Sequence, residues 1–278
     1  MADLGFDGRV AVVTGAGGGL GREHALLLAS RGARVLVNDL GTAVSGEGEA
    51  EGPATRTARQ IEALGGMAVP DTSSVATPEG GQAIVAAALD AFGRVDIVVN
   101  NAGILRDRAF HNMTPELLEP VLDVHLKGSF WVTRPAWIQM REQGYGRVVV
   151  TSSSSGILGN FGQTNYGAAK MGLVGLTRVL AVEGAKNNIK ANAIAPVAKT
   201  RMTEDILGPV ADKLLPESVT PLVAFLVHED CPVSGEIYSV GGGRVARVFL
   251  GVTQGIADPA LTAEEVRDRF DEITHQDG

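Results

Sequence analysis

The sequence lacks several features, and each absence removes a class of protein. Cys231 is its single cysteine, so no intramolecular disulfide can form. Basic residues are outnumbered, 24 Lys and Arg against 32 Asp and Glu, for a formal net charge of −8. That balance lacks the basic footprint of a nucleic-acid binder. It favours solubility, and it means that an anionic ligand needs a local positive site. No apolar run approaches the roughly 18–20 residues a membrane helix requires. The opening "MADLGFDGRVAVVTG" has no basic segment followed by an apolar stretch, and the closing "THQDG" is no import or retention signal. The expectation is a cytoplasmic protein with no nucleic-acid partner, no membrane partner and no metal site.

What is present points to an α/β chain. Hydrophobic residues make up 45% of 278, enough for a sizeable core in one large domain or two small ones. Glycine is abundant, at 36 residues, without a Gly-x-y period. Such glycines mark turns and close backbone approaches.

Along the chain, short β-branched runs alternate with helical patterns. "RVAVVT" reads as a buried strand, "REHALLLASRG" as a helix and "ARVLVND" as a second strand. "ATRTARQIEALGG" and "PEGGQAIVAAALDAFG" are helical, with "MAVPD", "RVDIVVNNAG" and "RVVVTS" as further strands. A long helical stretch over 114–146 contains Pro120 and Pro135, which are expected to bend or divide it. "NYGAAKMGLVGLTRVLAVEGAK" is another helix, and "NIKANAIAP" and "GEIYSVGGG" are the last two strands. This alternation implies a single doubly wound (Rossmann-type) parallel sheet with helices on both faces. Residues 1–243 form that dinucleotide-binding and catalytic domain. Residues 244–278 form a C-terminal extension packed on the domain or on a dimer interface. It begins as a strand or short helix and ends in "TAEEVRDRFDEI", whose Thr262 and Glu265 suit a capping box. The Gly-rich acidic segment 41–52 reads as a mobile surface loop.

Gly15, Gly19 and Gly21 follow the first strand and open the first helix. Such a turn lets backbone N–H groups and the helix N-terminus approach a pyrophosphate. Asp39 closes the second strand, where a carboxylate accepts hydrogen bonds from ribose hydroxyls and repels a 2′-phosphate. The pair therefore points to NAD rather than NADP.

The stretch "TSSSSGILGNFGQTNYGAAK" is ambiguous by itself. It reads either as a catalytic unit or as a polar loop entering an ordinary helix. The motifs "TGAGGGLG", "NNAG" and "YGAAK", in that order, resemble the short-chain dehydrogenase/reductase superfamily from about residue 7 to 243. More narrowly, "NNAGILRDRAF", "VHLKGSF", "SGILGNFGQTNYGAAK" and "IAPVAKTRMT" resemble the (3R)-hydroxyacyl-CoA dehydrogenase part of peroxisomal multifunctional enzymes of type 2.

The resemblance implies a catalytic triad of Ser153, Tyr166 and Lys170, with Ser153 also holding the substrate oxygen. It implies cofactor contacts from Gly15, Leu20, Gly21, Asp39, Ser74, Val75, Asn101, Ala198, Lys199 and Thr200, besides Tyr166 and Lys170. Tyr166 is then the general base or acid, and Lys170, one helical turn on, favours its phenolate and binds the nicotinamide ribose. His125 stands where many members carry an asparagine that supports a proton relay; it is either a relay or a structural histidine. Pro196-Val197 replaces the usual Pro-Gly, and the loop that follows is one residue shorter. The implied substrate is an acyl-CoA thioester, for whose charges Arg106, Arg108, Lys199 and Arg201 are candidates. Alternatives are a hydroxysteroid or other secondary alcohol, an NADPH-dependent 3-ketoacyl reductase, and a nucleotide-sensing protein without turnover. The resemblance further implies a homodimer or homotetramer.

Overall fold

Three strands, β1 (Val10–Thr14), β4 (Ile97–Asn100) and β5 (Gly146–Thr151), are buried along their whole length. This is the signature of parallel strands covered on both faces. The computed structural model describes residues 3–41, 52–198 and 214–276. Among them the sheet has eight strands in the order β3-β2-β1-β4-β5-β6-β7-β8. The remaining strands are β2 (Arg34–Asn38), β3 (Met67–Asp71), β6 (Ile189–Pro196), β7 (Ile237–Gly241) and β8 (Arg244–Val248). Neighbours from β3 to β7 pair in parallel, with Thr14 opposite Asn38 and Thr151 opposite Ile194 at their C-terminal ends. Pro70 sits in β3, an edge strand, where a missing N–H is tolerated. Gly242 and Gly243, both at positive φ, turn β7 into β8 in two residues, so β8 runs antiparallel.

Helices α1 (Gly19–Ser30), α2 (Pro53–Ala63), α3 (Pro78–Phe92), α5 (Gly128–Gln143), α7 (Thr164–Gly184) and α8 (Thr220–Val227) cover the sheet. Between them lie the short α4 (Pro115–Leu122) and the single turn α6 (Ser154–Ile157). The long helical stretch is not divided at either proline. Pro120 ends up inside α4, Pro135 inside an unbroken α5, and a π-helical turn at Asp123–Lys127 joins the two. α8 has no counterpart in the sequence reading. It is an apolar run whose buried face includes Val223, Ala224, Leu226 and Val227.

The chain forms two compact units, Met1–Arg247 and Val248–Gly278. The second carries α9 (Ala263–Asp268) and α10 (Phe270–Thr274). The capping box is present: Glu265 N–H donates to Thr262 Oγ1 at 3.2 Å, and Thr262 N–H donates to Glu265 Oε2 at 2.9 Å. α9 ends at Asp268, and α10 begins at Phe270 after Arg269. The segment 42–51, read as a loop, lies outside the described residues.

Candidate active site

The order of the strands reverses between β1 and β4, and ligands of open α/β sheets bind at the carboxyl ends beside such a switch point. A cleft of about 630 Å³ opens there. It runs from Asp39, Ser74 and Val75 past Gly15, Gly19, Leu20 and Asn101 to Ser153, Tyr166, Lys170 and Ala198. Gly21 lies beneath the turn rather than on the cleft surface. A Cβ there would strike the Gly15 carbonyl oxygen, so only glycine lets the helix approach this closely. Gly15 needs its positive φ of 63° and would meet Ala102 Cα at 2.8 Å if it carried a Cβ.

The start of α1 has no side-chain cap, because Gly18 holds the N-cap position. Its first N–H groups are thus left for an acceptor, which suits a phosphate. Asp39 is fixed by two backbone donors, Gly17 N–H to Oδ2 and Gly41 N–H to Oδ1, both at 3.0 Å. A carboxylate oxygen accepts more than one hydrogen bond, so the same side chain still suits ribose hydroxyls. Asn101 lines the cleft, as expected of a cofactor contact, and also has a bracing role. Its Nδ2 donates to the carbonyls of Thr14 and Gly15, at 3.1 and 3.2 Å, and braces the glycine turn against β4. Thr14 Oγ1 completes that brace by accepting from Asn101 N–H at 3.0 Å and Ala102 N–H at 3.1 Å.

At the other end, the four serines have four different surroundings. Ser152 is buried, and its hydroxyl donates to the Lys170 carbonyl at 2.8 Å, which ties the end of β5 to α7. Ser153 caps α6, accepting from Ser155 N–H at 3.1 Å, and lies near enough to Tyr166 to favour its phenolate. Ser154 is exposed, and Ser155 follows within α6. Tyr166 and Lys170 share one face of α7, with the ammonium 5.3 Å from the phenol ring centroid.

The electrostatics differ from the sequence expectation. Burial pushes the Tyr166 phenol above its ordinary value, and this outweighs the nearby Ser153 hydroxyl, which favours the phenolate. Lys170 is buried and its ammonium is lowered to about 7 by desolvation. It donates to the Thr151 carbonyl at 2.5 Å. The Lys170 charge expected to favour the Tyr166 phenolate is thus weakened by the same burial.

Several bracing residues were not singled out from the sequence. Asn165, almost wholly buried, donates to the carbonyls of Arg106 and Leu117 at 2.9 and 2.8 Å and accepts from Tyr166 N–H at 2.8 Å. Gln163 donates to Asp107 Oδ2 at 2.7 Å, and Arg108 N–H donates to the Gly162 carbonyl at 2.7 Å. These bonds zip the loop after β4 to the start of α7. The only available signal was the adjacency of both residues to Tyr166 in "GQTNYGAAK". Arg106 and Arg108 are exposed. Lys199, Thr200 and Arg201 lie outside the described residues.

A glycine turn after β1 and a Ser–Tyr–Lys cluster after β5 occupy one cleft, and residues 9–208 match the short chain dehydrogenase family. The chain belongs to that family. A short-chain dehydrogenase of this kind is an oxidoreductase that acts on a hydroxyl group, and its fold implies a nicotinamide nucleotide. Among similar proteins, a short-chain type dehydrogenase/reductase of Mycobacterium tuberculosis is 55% identical over 99% of this chain and 96% of its own. The peroxisomal multifunctional enzyme type 2 of Mus musculus is 50% identical over 97% of this chain, which spans 37% of that enzyme's length. The hydroxyacyl-CoA dehydrogenase ChsB1 of Mycobacterium tuberculosis is 39% identical over 87% of this chain and 80% of its own. A crystal structure of a short chain dehydrogenase from Mycobacterium avium covers 96% of this chain and 94% of its own, with 40% identity and a TM-score of 0.85. No described helix is long and apolar enough to cross a membrane, and the described residues contain no cluster of His, Cys, Asp and Glu suited to a metal ion.

Proposed function

We propose that this protein interconverts a (3R)-3-hydroxyacyl-CoA and the corresponding 3-ketoacyl-CoA, with NAD as its cofactor. The observation that carries the reading is one cleft with Asp39 at one end and Ser153, Tyr166 and Lys170 at the other. The substrate class is supported by the similarity to a hydroxyacyl-CoA dehydrogenase.

In this reading Gly15, Gly19, Leu20 and Gly21 seat the pyrophosphate, and Asp39 receives the adenosine ribose. Ser74 and Val75 flank the adenine, and Asn101 holds the turn in shape. Ala198, with Lys199 and Thr200, meets the nicotinamide amide. When bound in its oxidised form, the nicotinamide accepts hydride and adds a positive charge that favours the Tyr166 phenolate. Ser153 donates to the substrate oxygen, where charge develops. Tyr166 takes the hydroxyl proton in oxidation and returns it in reduction. Lys170 would offer its remaining donors to the nicotinamide ribose.

A homo-oligomer completes the proposal. Phe130 and Ile138 on α5 and Val179 and Val182 on α7 stand exposed, an apolar surface that a second copy would cover.

The test is NAD reduction with (3R)- and (3S)-3-hydroxyacyl-CoA of several chain lengths, beside a panel of hydroxysteroids. Turnover of the 3R thioesters is expected. Turnover of steroids alone would replace the thioester reading with a hydroxysteroid dehydrogenase.

A further inference from the structure

We propose that His125 is a positioning residue that holds the Tyr166 ring and the cleft wall at residues 103–105 in place and carries no proton. The inference rests on the reading of Tyr166 as the acid–base group.

The π-helical turn at Asp123–Lys127 places His125 inside the protein, 2% exposed. π turns recur at functional sites, because one extra residue re-aims a side chain. Here the imidazole meets the Tyr166 ring edge to face, with centroids 5.1 Å apart and planes at 90°. Its other neighbour is Gly103, where a Cβ would run into the imidazole Cε1. Glycine is therefore what lets the ring reach Tyr166.

A relay through an imidazole needs an exchangeable partner at each nitrogen. Nε2 lies 2.8 Å from the Ile104 carbonyl oxygen and 3.1 Å from the Ile104 N–H nitrogen. It can donate to the first or accept from the second, not both. In either tautomer the partner is peptide backbone, which neither gives nor takes a proton during turnover. A proton entering at Nδ1 therefore has nowhere to leave. Nδ1 itself is buried with no partner among the described residues, and a water molecule would satisfy it.

The surrounding charges agree with a ring that stays neutral. Burial, then the Lys170 ammonium, hold the imidazole well below its ordinary pKa, against the opposing Ile104 bond. Tyr166 and Lys170 face it from α7. The wall at 103–105 brings no titratable group. On its own turn Asp123 and Lys127 are paired with each other at 2.7 Å, and Lys127 also reaches Glu119 of α4 at 3.5 Å.

The test compares His125→Ala, His125→Phe and His125→Gln on a (3R)-3-hydroxyacyl-CoA, or on a hydroxysteroid if the wild type accepts only that. Phe keeps a ring edge against Tyr166 and Gln keeps a donor for Ile104, but neither relays a proton. His125→Ala is expected to lower kcat by roughly tenfold or more, with NAD affinity within about twofold of wild type because the cofactor contacts lie elsewhere. At least one of the Phe and Gln variants, checked for folding by thermal melting, is expected to recover most of that loss. The acid limb of the kcat profile stays in place in all three. Phe and Gln variants that fold but are as slow as Ala, or a displaced acid limb, would overturn the proposal. Steroid turnover without thioester turnover would remove the substrate reading and leave this inference standing. A wild type active on neither would overturn both.

Discussion

Lys170 and the end of β5 clasp each other: the ammonium donates to the Thr151 carbonyl at 2.5 Å, and the next residue, Ser152, donates its hydroxyl to the Lys170 carbonyl at 2.8 Å. The lysine proposed to support Tyr166 is thereby placed at the cost of burying a charge. That cost appears as a pKa lowered to about 7. Between that value and the ordinary 10.5, the unfolded chain holds a proton that the folded chain has released. Stability from this group is therefore complete above about 10.5 and is lost as pH falls toward 7. Lys170→Met should abolish turnover yet raise stability at pH 7 by roughly 1–2 kcal/mol, or about 2–6 °C in melting temperature. Melting curves at pH 7 and 9 check this, with the gap to wild type narrowing at the higher pH.

The serines should separate by role. Ser153→Ala removes the hydroxyl facing Tyr166 and should lower kcat by roughly 100-fold or more with the fold intact. Ser152→Ala removes a buried donor and should cost about 1 kcal/mol of stability, read by denaturant unfolding. Ser155→Ala should leave kcat within about threefold, since at this position the backbone N–H makes the bond to Ser153. A larger kinetic loss for Ser155 than for Ser153 would show that the wrong hydroxyl was assigned.

Cofactor choice should hinge on Asp39. Its carboxylate is held by Gly17 and Gly41 in the cleft, so a 2′-phosphate would meet a fixed negative charge. Wild type should favour NAD over NADP by roughly 100-fold in kcat/KM, and Asp39→Asn should narrow that to below about tenfold. Equal turnover with both cofactors would contradict the assignment.

The parts of this architecture that local pattern encodes were legible in the sequence. Buried β-branched strands, the glycine turn with Asp39 after β2, and the capping box of α9 all depend on residues close in the chain. The family motifs point to Ser153, Tyr166 and Lys170 together, and the three line one cleft. What local pattern does not encode was missed. Pro120 signalled an interruption, but nothing announced the π turn, which is one residue of slack absorbed so that His125 can reach Tyr166. The run "TPLVAFLV" has no polar face to betray a helical period, so α8 went unread. Gln163 and Asn165 find partners 56 and 59 residues away, and only the fold brings those loops together. The raised pKa of Tyr166 was likewise hidden, because burial is a property of the assembled site.

The central claim is that Tyr166 moves the proton in a cleft that binds the cofactor independently of it. The direct measurement is NAD reduction by wild type and Tyr166→Phe on the same (3R)-3-hydroxyacyl-CoA, with NADH binding to both followed by fluorescence. The account expects turnover to fall by roughly 1,000-fold or more while NADH affinity changes by less than about threefold. A Tyr166→Phe variant that keeps more than about a tenth of wild-type turnover would contradict it.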